Sequence, residues 1–367
     1  MKILYDHQIF TNQVYGGISR YFFELIKYFE NNNGIKYELS LKCSNNYYLK
    51  KLKKLPYKTF LENFSFRGKY RLLNILNKEV SKKYITRGHY DIFHPTYYNP
   101  YFLDYVGSKP FVLTVYDMIH EKFKEMFSAK DKTSEYKKLL SQKASKGLKG
   151  WYYAKHPNIE IFNIEESKIE VVYLGNSMIP NNNTILDFKL PKKYIIFVGA
   201  RGGYKNFDTF IKSVTPLLYE DKELSIVCVG GGKFKAFEIA LFNSLDINKQ
   251  IQRFDIDDDK LAIFYKNAIL FVFPSLYEGF GIPILESFAC KCPLACSNTS
   301  SLPEIAGDGA EYFDPTDKLS ILNSIQKVLY NDKLRKQLIN KGIERMKEFT
   351  WEKTADKTKH LYKKLLL

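Results

Sequence analysis

Short apolar runs rich in β-branched and aromatic residues alternate along this chain with segments whose apolar residues recur at helical spacing. In the first half, the runs predict strands and the spacing over residues 18–29 predicts a helix. These predicted strands are residues 2–5, 37–42, 91–94, 111–116 and 170–174. Alternating strands and helices are typical of parallel βαβ units, so the pattern predicts an α/β fold.

The second half of the chain begins a fresh series of the same kind. Residues 194–199 predict a buried strand, and residues 207–218 have helical spacing. Further strands are predicted at 224–229, which precedes three glycines, and at 269–273.

A polar stretch with turn residues, which includes three successive asparagines, separates the two series. We therefore predict two doubly wound domains of parallel sheet at residues 1–190 and 191–349, with residues 350–367 as a helix that can return to the first domain. Ligands of such sheets bind beyond the carboxyl ends of the strands, so a cleft between the domains is the expected active site.

Length and composition agree with this organisation, because 367 residues exceed the size of a single core. The longest apolar runs are too short to cross a bilayer, and the first residues lack the apolar stretch of a signal peptide. We therefore expect a cytoplasmic protein. The five cysteines have no zinc-site spacing, and we expect them to be reduced core residues.

The formal charge of +16 is concentrated in residues 1–190, which carry 30 Lys and Arg against 18 Asp and Glu. Lysine-rich runs such as 50–54 suit either a solvated face or an anionic membrane surface. No zinc-finger or RNA-binding aromatic pattern accompanies them, so no nucleic-acid partner is expected. The inner face of the cytoplasmic membrane is therefore the candidate partner of the basic half.

The segment 278–286 reads Glu-Gly-Phe-Gly-Ile-Pro-Ile-Leu-Glu and follows a predicted buried strand. Gly279 and Gly281 let backbone amides approach a ligand, and the following helix start offers unpaired N–H groups, which suits a diphosphate. Glu278 and Glu286 are poor phosphate ligands but good acceptors for sugar or ribose hydroxyls. Together these features indicate a nucleotide-sugar site.

A second glycine-rich turn, residues 199–206, also lies between a predicted strand and a helix. Its Arg201 and Lys205 supply cations that can neutralise a leaving diphosphate. The acidic run 257–259 precedes a helical segment, and acids are favoured at helix N-termini, so we interpret it as a cap and expect no metal site.

With these motifs the chain resembles the retaining glycosyltransferases of family 4, of the bacterial surface-polysaccharide type, which have two facing Rossmann-like domains called the GT-B fold. Other matching segments are Gly16-Gly17-Ile18-Ser19-Arg20 and residues 297–304, 306–308, 313–315 and 349–351. The resemblance implies metal-independent sugar transfer, with retention, from a nucleoside-diphosphate sugar such as GDP-mannose or a UDP-hexose. It implies a hydroxyl of a glycan or lipid-linked glycan as the acceptor.

The resemblance also implies residue roles. Arg201 and Lys205 would bind the donor diphosphate, Glu278 the sugar hydroxyls, and Glu286 the ribose. The remaining donor-binding residues, which would contribute backbone groups or a closing loop, are Gly279, Phe280, Gly281, Ile282, Gly16 and Gly17.

Two features depart from the family pattern. Tyr116 occupies the place of the family's usual histidine, and either His120 or His94 could take that role or be an ordinary half-buried histidine. The stretch 145–158 shows no legible strand where the family has one. Two alternatives therefore stay open, namely a nucleotide-sugar epimerase of the same fold and a catalytically weakened nucleotide-binding homologue.

Overall fold

The structure, a computed structural model, describes residues 1–32, 35–52, 57–62, 64, 66–144, 148–150, 161–180, 185–186 and 188–367. The chain divides into two compact units, of which unit 1 comprises Met1–Leu174 and Trp351–Leu367 and unit 2 comprises Gly175–Thr350. The first break falls after Leu174, whereas the sequence placed it near residue 190. The segment before residue 190 packs with unit 2, since the ring of Phe188 stacks on that of Phe254 with centroids 5.0 Å apart.

Helices and strands are numbered here along the described residues. The strands are β1 (Lys2–Tyr5), β2 (Lys36–Leu39), β3 (Ile92–His94), β4 (Leu148–Gly150), β5 (Ile169–Val171), β6 (Lys193–Val198), β7 (Leu224–Val229), β8 (Ile251–Phe254), β9 (Leu270–Phe273), β10 (Leu294–Ser297) and β11 (Ala310–Phe313). The helices are α1 (Gln8–Asn12), α2 (Gly17–Asn31), α3 (Lys69–Arg87), α4 (Ile119–Lys122), α5 (Thr133–Lys143), α6 (Phe207–Glu220), α7 (Ala236–Ser244), α8 (Asp258–Asn267), α9 (Ile282–Ala289), α10 (Leu302–Ala306), α11 (Lys318–Leu329), α12 (Asp332–Met346) and α13 (Trp351–Lys364).

Unit 1 is built on a parallel sheet with the strand order β2-β1-β3. The predicted helix at 18–29 lies within α2, whose apolar face contains Phe22 against the ring of Tyr5. The last helix, α13, belongs to the same core, because the buried Tyr362 hydroxyl lies 3.1 Å from the hydroxyl of Tyr5. The two ends of the chain therefore build one unit.

The segment predicted as a strand at residues 111–116 is extended at its start but is not a full strand, because β-bridges mark Phe111 and Leu113 alone. Phe111 pairs in parallel with Phe93, and the N–H of Val112 donates to the Phe93 carbonyl over 2.9 Å. The segment is buried, which explains its apolar sequence. At its end, the N–H of Tyr116 donates to the hydroxyl of Tyr98 over 2.9 Å.

The stretch 145–158 was predicted to lack a strand, and this is wrong at Leu148–Gly150. That segment is β4, which pairs in parallel with β5 in a separate sheet. Three residues with a single large apolar side chain leave no pattern to read, and the pairing partner lies well along the chain. The other residues of this stretch lie outside the described part of the chain.

Unit 2 contains a six-stranded parallel sheet with the order β11-β10-β9-β6-β7-β8. Its strands are apolar on both faces, as expected for a sheet covered by helices, and β6, β7 and β9 confirm the predicted strands. The core of this unit includes Phe197, Phe210 and Val272. The side chain of Asp257 confirms the predicted cap of α8, since its carboxylate accepts from the backbone N–H of Lys260 over 2.9 Å.

Among the described helices, none is long and apolar enough to span a membrane. All five cysteines are free and buried. In the described ranges, no three His, Cys, Asp or Glu side chains gather in a way that could hold a metal ion.

Candidate functional site

Strands β6 and β9 are neighbours in the sheet of unit 2, and both end at the same edge. The glycine-rich turn after β6 and the turn after β9 therefore meet beyond their carboxyl ends. A backbone bond joins the two turns, since the N–H of Leu276 donates to the Tyr204 carbonyl over 2.7 Å. Adjacent strands thus bring together two motifs that lie far apart in the sequence.

The centre of this edge is an ion pair between Lys205 and Glu278. The Lys205 Nζ lies 2.6 Å from the Glu278 Oε1, and the Ser275 hydroxyl donates to the same oxygen over 2.6 Å. Within the described part of the chain, the Glu278 Oε2 accepts no hydrogen bond. The lysine side chain is 15% exposed and the glutamate side chain 11%. The pair is therefore largely enclosed yet open to a ligand on one side.

Two serines fix the turn that carries Glu278. The N–H of Glu278 donates to the Ser300 hydroxyl over 2.9 Å, and the Ser301 hydroxyl lies 3.0 Å from the carbonyls of both Glu278 and Phe280. Sequence reasoning matched these serines to a family motif without assigning them a role. Ser275 and Ser301 are both buried, and their hydroxyl groups fix the Glu278 side chain and its turn.

Gly281 precedes the first residue of α9 with a φ of 99°, in the left-handed region that favours glycine. A Cβ there would also lie 3.0 Å from the Leu302 Cδ2, so the leucine side chain would have to shift. The first N–H groups of a helix generally have no intrahelical partner and carry partial positive charge, although here Pro283 has none and the Ile284 N–H donates to the Gly281 carbonyl over 2.9 Å. This helix start therefore offers backbone donors next to the turn of Glu278.

Glu286 lies within α9 and is buried. The hydroxyl of Tyr265 donates to its Oε2 over a long distance of 3.4 Å. The carboxylate raises the pKa of Tyr265, although burial is the larger cause of that rise. Both glutamates of the 278–286 motif thus belong to one turn and helix of unit 2.

The Arg201 side chain is paired with groups of the protein itself. Its Nε donates to the Glu238 Oε1 over 2.6 Å, and both side chains are almost fully buried. Its Nη1 donates to the Gly230 carbonyl over 2.8 Å, and its Nη2 lies 2.9 Å from the carbonyl of Gly232 and 3.1 Å from that of Lys233. Four of its five N–H groups are therefore directed to the protein itself.

The loop that Arg201 binds consists of three successive glycines with φ of 81°, 70° and 70° at Gly230, Gly231 and Gly232. At Gly231 a Cβ would lie 2.8 Å from the Gly199 carbonyl oxygen and from the Arg201 Nη1. The guanidinium thus fills the inside of a glycine loop, and the diphosphate contact of Arg201 stays a prediction. Sequence reasoning missed Glu238, whose separation from Arg201 along the chain gave no signal.

In unit 1, the predicted residues Gly16 and Gly17 lie at the start of α2. Gly16 precedes the first residue of α2 and accepts the N–H of Arg20 over 3.0 Å, and a Cβ on Gly16 would lie 2.7 Å from the Gln13 Oε1. Gly17 is the first residue of that helix. The close approach of Gln13 accounts for glycine at the first of these two positions.

His120 lies in the short helix α4, with its ring stacked 4.0 Å from that of Phe127. Its Nε2 is 3.7 Å from Asp131, and its Nδ1 is buried without a partner among the described residues. Burial, and secondly the Lys137 ammonium, lower the pKa of His120. A catalytic role of His120 stays a prediction.

The alternative assignment to His94 is wrong, because its ring lies in the core of unit 1. Its Nδ1 is 2.6 Å from the Tyr362 hydroxyl and its Nε2 is 2.8 Å from the Thr114 hydroxyl. Burial lowers the pKa of His94 to about 3. Tyr116, in the place of the family's histidine, donates its hydroxyl to the Thr96 carbonyl over 3.1 Å.

Comparisons with known proteins bear on the same edge of unit 2. Residues 179–345 match the family model described as glycosyl transferases group 1. The chain is 41% identical over 110 residues to O-antigen chain mannosyltransferase B of Escherichia coli, covering 30% of this chain and 29% of that protein. It is 28% identical over 178 residues to O-antigen chain mannosyltransferase RfbU of Salmonella typhimurium, covering 48% and 49%. The chain thus spans about half the length or less of these curated relatives.

Solved structures resemble the whole chain at low sequence identity. Sucrose-phosphate synthase from Thermosynechococcus elongatus gives a TM-score of 0.76 at 17% identity, over 100% of this chain and 98% of that one. WaaG, a glycosyltransferase involved in lipopolysaccharide biosynthesis, gives 0.69 at 13% identity, over 98% of both chains. These likenesses confirm the predicted α/β fold of GT-B type.

Proposed function

We propose that the chain is a group 1 glycosyltransferase that transfers a hexose from a nucleoside-diphosphate sugar to a hydroxyl of a glycan or lipid-linked glycan. The observation that carries this proposal is the Lys205–Glu278 pair at the carboxyl edge of β6 and β9. It combines a cation with a carboxylate that has one unoccupied oxygen, beside the backbone donors of a helix start.

Each part of this arrangement matches a part of the donor. A lysine ammonium has three donors, so Lys205 can keep its bond to Glu278 and direct the others to a diphosphate oxygen. Charge grows on that diphosphate as the sugar departs, and a cation already in place stabilises it most at the transition state. The Glu278 Oε2 would accept a sugar hydroxyl, and Glu286 the ribose.

The backbone around Gly279, Phe280, Gly281 and Ile282 would approach the phosphates and the sugar. Arg201 would act as a positioning residue in this scheme, because its donors hold the glycine loop after β7. That loop follows the strand next to β6 in the sheet, so its shape bounds the same edge.

We propose a mannosyl donor, because several relatives are named mannosyltransferases. A relative from Campylobacter jejuni, 29% identical over 210 residues, is named an N-acetylgalactosaminyltransferase acting on a diphospho-undecaprenol glycan, which makes a UDP-sugar the second candidate. A thermal-shift comparison of GDP with UDP separates the two, because a ligand that binds only the native state raises its stability.

The transfer would retain the anomeric configuration, with a donor phosphate oxygen taking the acceptor proton on the same face. Product analysis by NMR tests this, and an inverted product would contradict it. In this step the bond between the anomeric carbon and the diphosphate oxygen breaks, the acceptor oxygen bonds to the anomeric carbon, and the nucleoside diphosphate leaves with the acceptor proton. No metal is part of this scheme.

The central experiment incubates the full chain with a panel of nucleotide sugars, with and without acceptor glycans. Transfer predicts free nucleoside diphosphate and a new glycoside only when an acceptor is present. An epimerised sugar without acceptor would favour the epimerase alternative. Binding of a nucleoside diphosphate without turnover of any donor would favour the weakened homologue.

The role of Glu278 has a sharper test. Glu278→Gln should weaken binding of the sugar nucleotide about tenfold more than binding of the nucleoside diphosphate alone, because the carboxylate is assigned to the sugar. The matched control is Glu223→Gln at an exposed position of the same unit. Equal weakening of both ligands would contradict this assignment.

We further propose that unit 1 rests on the anionic inner face of the cytoplasmic membrane. Large apolar side chains are exposed in the part of the sequence that follows the lysine-rich run 50–54, namely Phe64, Phe66, Tyr70, Leu72 and Ile75. Apolar side chains among basic ones suit a lipid interface. Lys53 and Lys54 lie outside the described residues, whereas Lys50 pairs with Glu62.

Neutralising Lys50, Lys51, Lys53 and Lys54 should abolish binding to vesicles that contain phosphatidylserine. Neutralising the exposed Lys333 and Lys336 of unit 2 is the control and should leave binding intact. Unchanged binding of the first variant would contradict the proposal.

A further inference from the structure

Unit 1 contains a cavity of about 220 Å³ that none of the assigned roles uses. Its walls come from four separate segments, which are the start of α1, the middle of α3, the loop after β3 and the start of α5. The volume is smaller than the range typical of sites for drug-sized ligands, which begins at about 300 Å³. The cavity therefore has room for one small polar unit, such as a single sugar ring.

The side chain of Asp6 holds several residues of one cavity wall in place. The buried Asp6 carboxylate accepts from the Gln8 side-chain amide over 2.8 Å and from the Tyr101 hydroxyl over 3.1 Å. Gln8 in turn accepts the N–H of Asn99 over 2.7 Å. Three lining residues are thus held by one buried network, which is how a built site is kept rigid.

His7 lines the cavity and has an unsatisfied ring nitrogen. The residue is 2% exposed, its Nδ1 lies 3.1 Å from the Thr11 hydroxyl, and its Nε2 has no hydrogen-bond partner among the described residues. Burial lowers the pKa of His7 to about 4, with Lys78 contributing to the fall, so the ring is neutral at physiological pH. A buried polar atom without a partner is rare and requires an explanation, and a bound hydroxyl would supply one.

The other lining residues combine aromatic rings, amides and ammonium groups. Tyr97, Tyr98, Tyr101 and Tyr136 supply rings with an apolar body and a polar tip. Lys78 lies with its Nζ 5.5 Å from the centroid of the Tyr101 ring, and Lys132 also lines the cavity. No Asp or Glu is among the described lining residues. Rings and amides suit a sugar, and two lysines without an acid suit a negative group on it.

We propose that this cavity binds a saccharide unit that bears an anionic group, either a phosphate or a carboxylate. The Nε2 of His7 would bond a ring hydroxyl, and Lys78 would bind the anionic group. Identification of this saccharide as part of the acceptor rests on the proposed function. Binding itself does not depend on turnover and can be measured without a donor.

The experiment titrates the full chain, by calorimetry, with four probes, namely methyl glucuronide, glucose phosphate, methyl glucoside and inorganic phosphate. At least one of the two anionic sugars should bind about tenfold or more tightly than both methyl glucoside and inorganic phosphate, because a charged hydrogen bond adds to those of the ring. The anionic sugar that binds distinguishes a carboxylate from a phosphate source.

Variants locate the binding. Lys78→Gln should weaken the preferred probe about tenfold. Lys83→Gln, at an exposed position of the same helix outside the cavity, should not change the affinity for that probe.

His7→Phe keeps a ring against Tyr101 and removes the unpaired nitrogen, so it should also weaken binding. The midpoint of its unfolding transition shows whether this variant is folded. Lys205→Met should leave binding of the probe intact, because Lys205 belongs to unit 2.

Several results would overturn this inference. These are binding of neither anionic sugar, equal affinity for methyl glucoside, equal affinity for inorganic phosphate, or an unchanged affinity in both Lys78→Gln and a folded His7→Phe. Failure of sugar transfer from every donor would instead contradict the proposed function and leave these titrations as they are. The two proposals therefore fail separately.

Discussion

The candidate site of unit 2 and the cavity of unit 1 handle buried polar groups in opposite ways. In unit 2 the cations are already paired with acids, Lys205 with Glu278 and Arg201 with Glu238. Among the residues that line the cavity of unit 1, and in the Asp6 network behind them, the buried groups are neutral, as at His7, or an acid surrounded by neutral donors, as at Asp6. The buried Lys137–Glu121 pair of the same unit is outside this lining.

The two regions therefore suit different kinds of ligand. A ligand in unit 2 must share or exchange existing charged partners, which favours a ligand with charge of its own, such as a diphosphate. A ligand in unit 1 meets polar groups that have no charged partner to give up.

Removing the cation that is fully buried should have the largest effect, and it should be on stability. Arg201→Met leaves the Glu238 carboxylate buried without its partner, so we expect the free energy of unfolding to fall by about 3 to 5 kcal/mol. Urea unfolding measures this. The double variant Arg201→Met, Glu238→Met should regain part of the loss, since no unpaired charge remains. A fall of less than about 1 kcal/mol in the single variant would contradict the positioning role.

Removing the partly exposed cation should instead affect the reaction. Lys205→Met should lower kcat for sugar transfer by about 100- to 1000-fold, the range for loss of one group that stabilises transition-state charge. Its free energy of unfolding should fall by less than that of Arg201→Met, because the Lys205–Glu278 pair is more exposed, at 15% and 11%, than the Arg201–Glu238 pair, at 3% and 2%. Steady-state kinetics measure the effect, and Lys212→Met at an exposed position of α6 is the control. Unaltered turnover in Lys205→Met would remove Lys205 from the mechanism.

The glycine loop held by Arg201 offers a matched pair. Gly231 and Gly232 share a φ of 70°, but a Cβ meets the Gly199 carbonyl oxygen at 2.8 Å only at Gly231, whereas at Gly232 it meets nothing within 4 Å. Gly231→Ala should therefore lower the free energy of unfolding by about 2 to 3 kcal/mol, and Gly232→Ala by about 1 kcal/mol. Equal losses in urea unfolding would show that backbone conformation alone matters there.

The neutral histidine of the unit 1 core predicts a pH effect. The pKa of His94 is lowered to about 3, so between the ordinary value of about 6.5 and that value the unfolded state binds a proton that the folded state does not. Stability therefore falls as pH falls through this window, by at most about 1.4 kcal/mol per pH unit from this residue.

His94→Asn should make the dependence of unfolding on pH less steep between about pH 4 and pH 6. The exposed His89→Asn is the control and should leave the slope unchanged. An equal slope in wild type and His94→Asn would mean that His94 is not held neutral.

The sequence predicted that Lys205 and Glu278 serve one donor site, because each follows a strand whose apolar pattern was legible and parallel strands end at one edge. It did not predict their ion pair, or the Arg201–Glu238 pair, which depends on the shape of three left-handed glycines. Pattern alone also failed where a strand has only three residues, as in β4. The cavity of unit 1 was hidden because its walls come from four separated segments.

The most direct test of the central claim is calorimetric titration of GDP and UDP into the wild-type chain and into Lys205→Met and Lys212→Met. We expect wild type and Lys212→Met to bind one of these nucleoside diphosphates with the same affinity. Lys205→Met should bind it at least tenfold more weakly. Binding of neither nucleotide to the wild type, or equal binding to Lys205→Met, would contradict a donor site centred on Lys205 and Glu278.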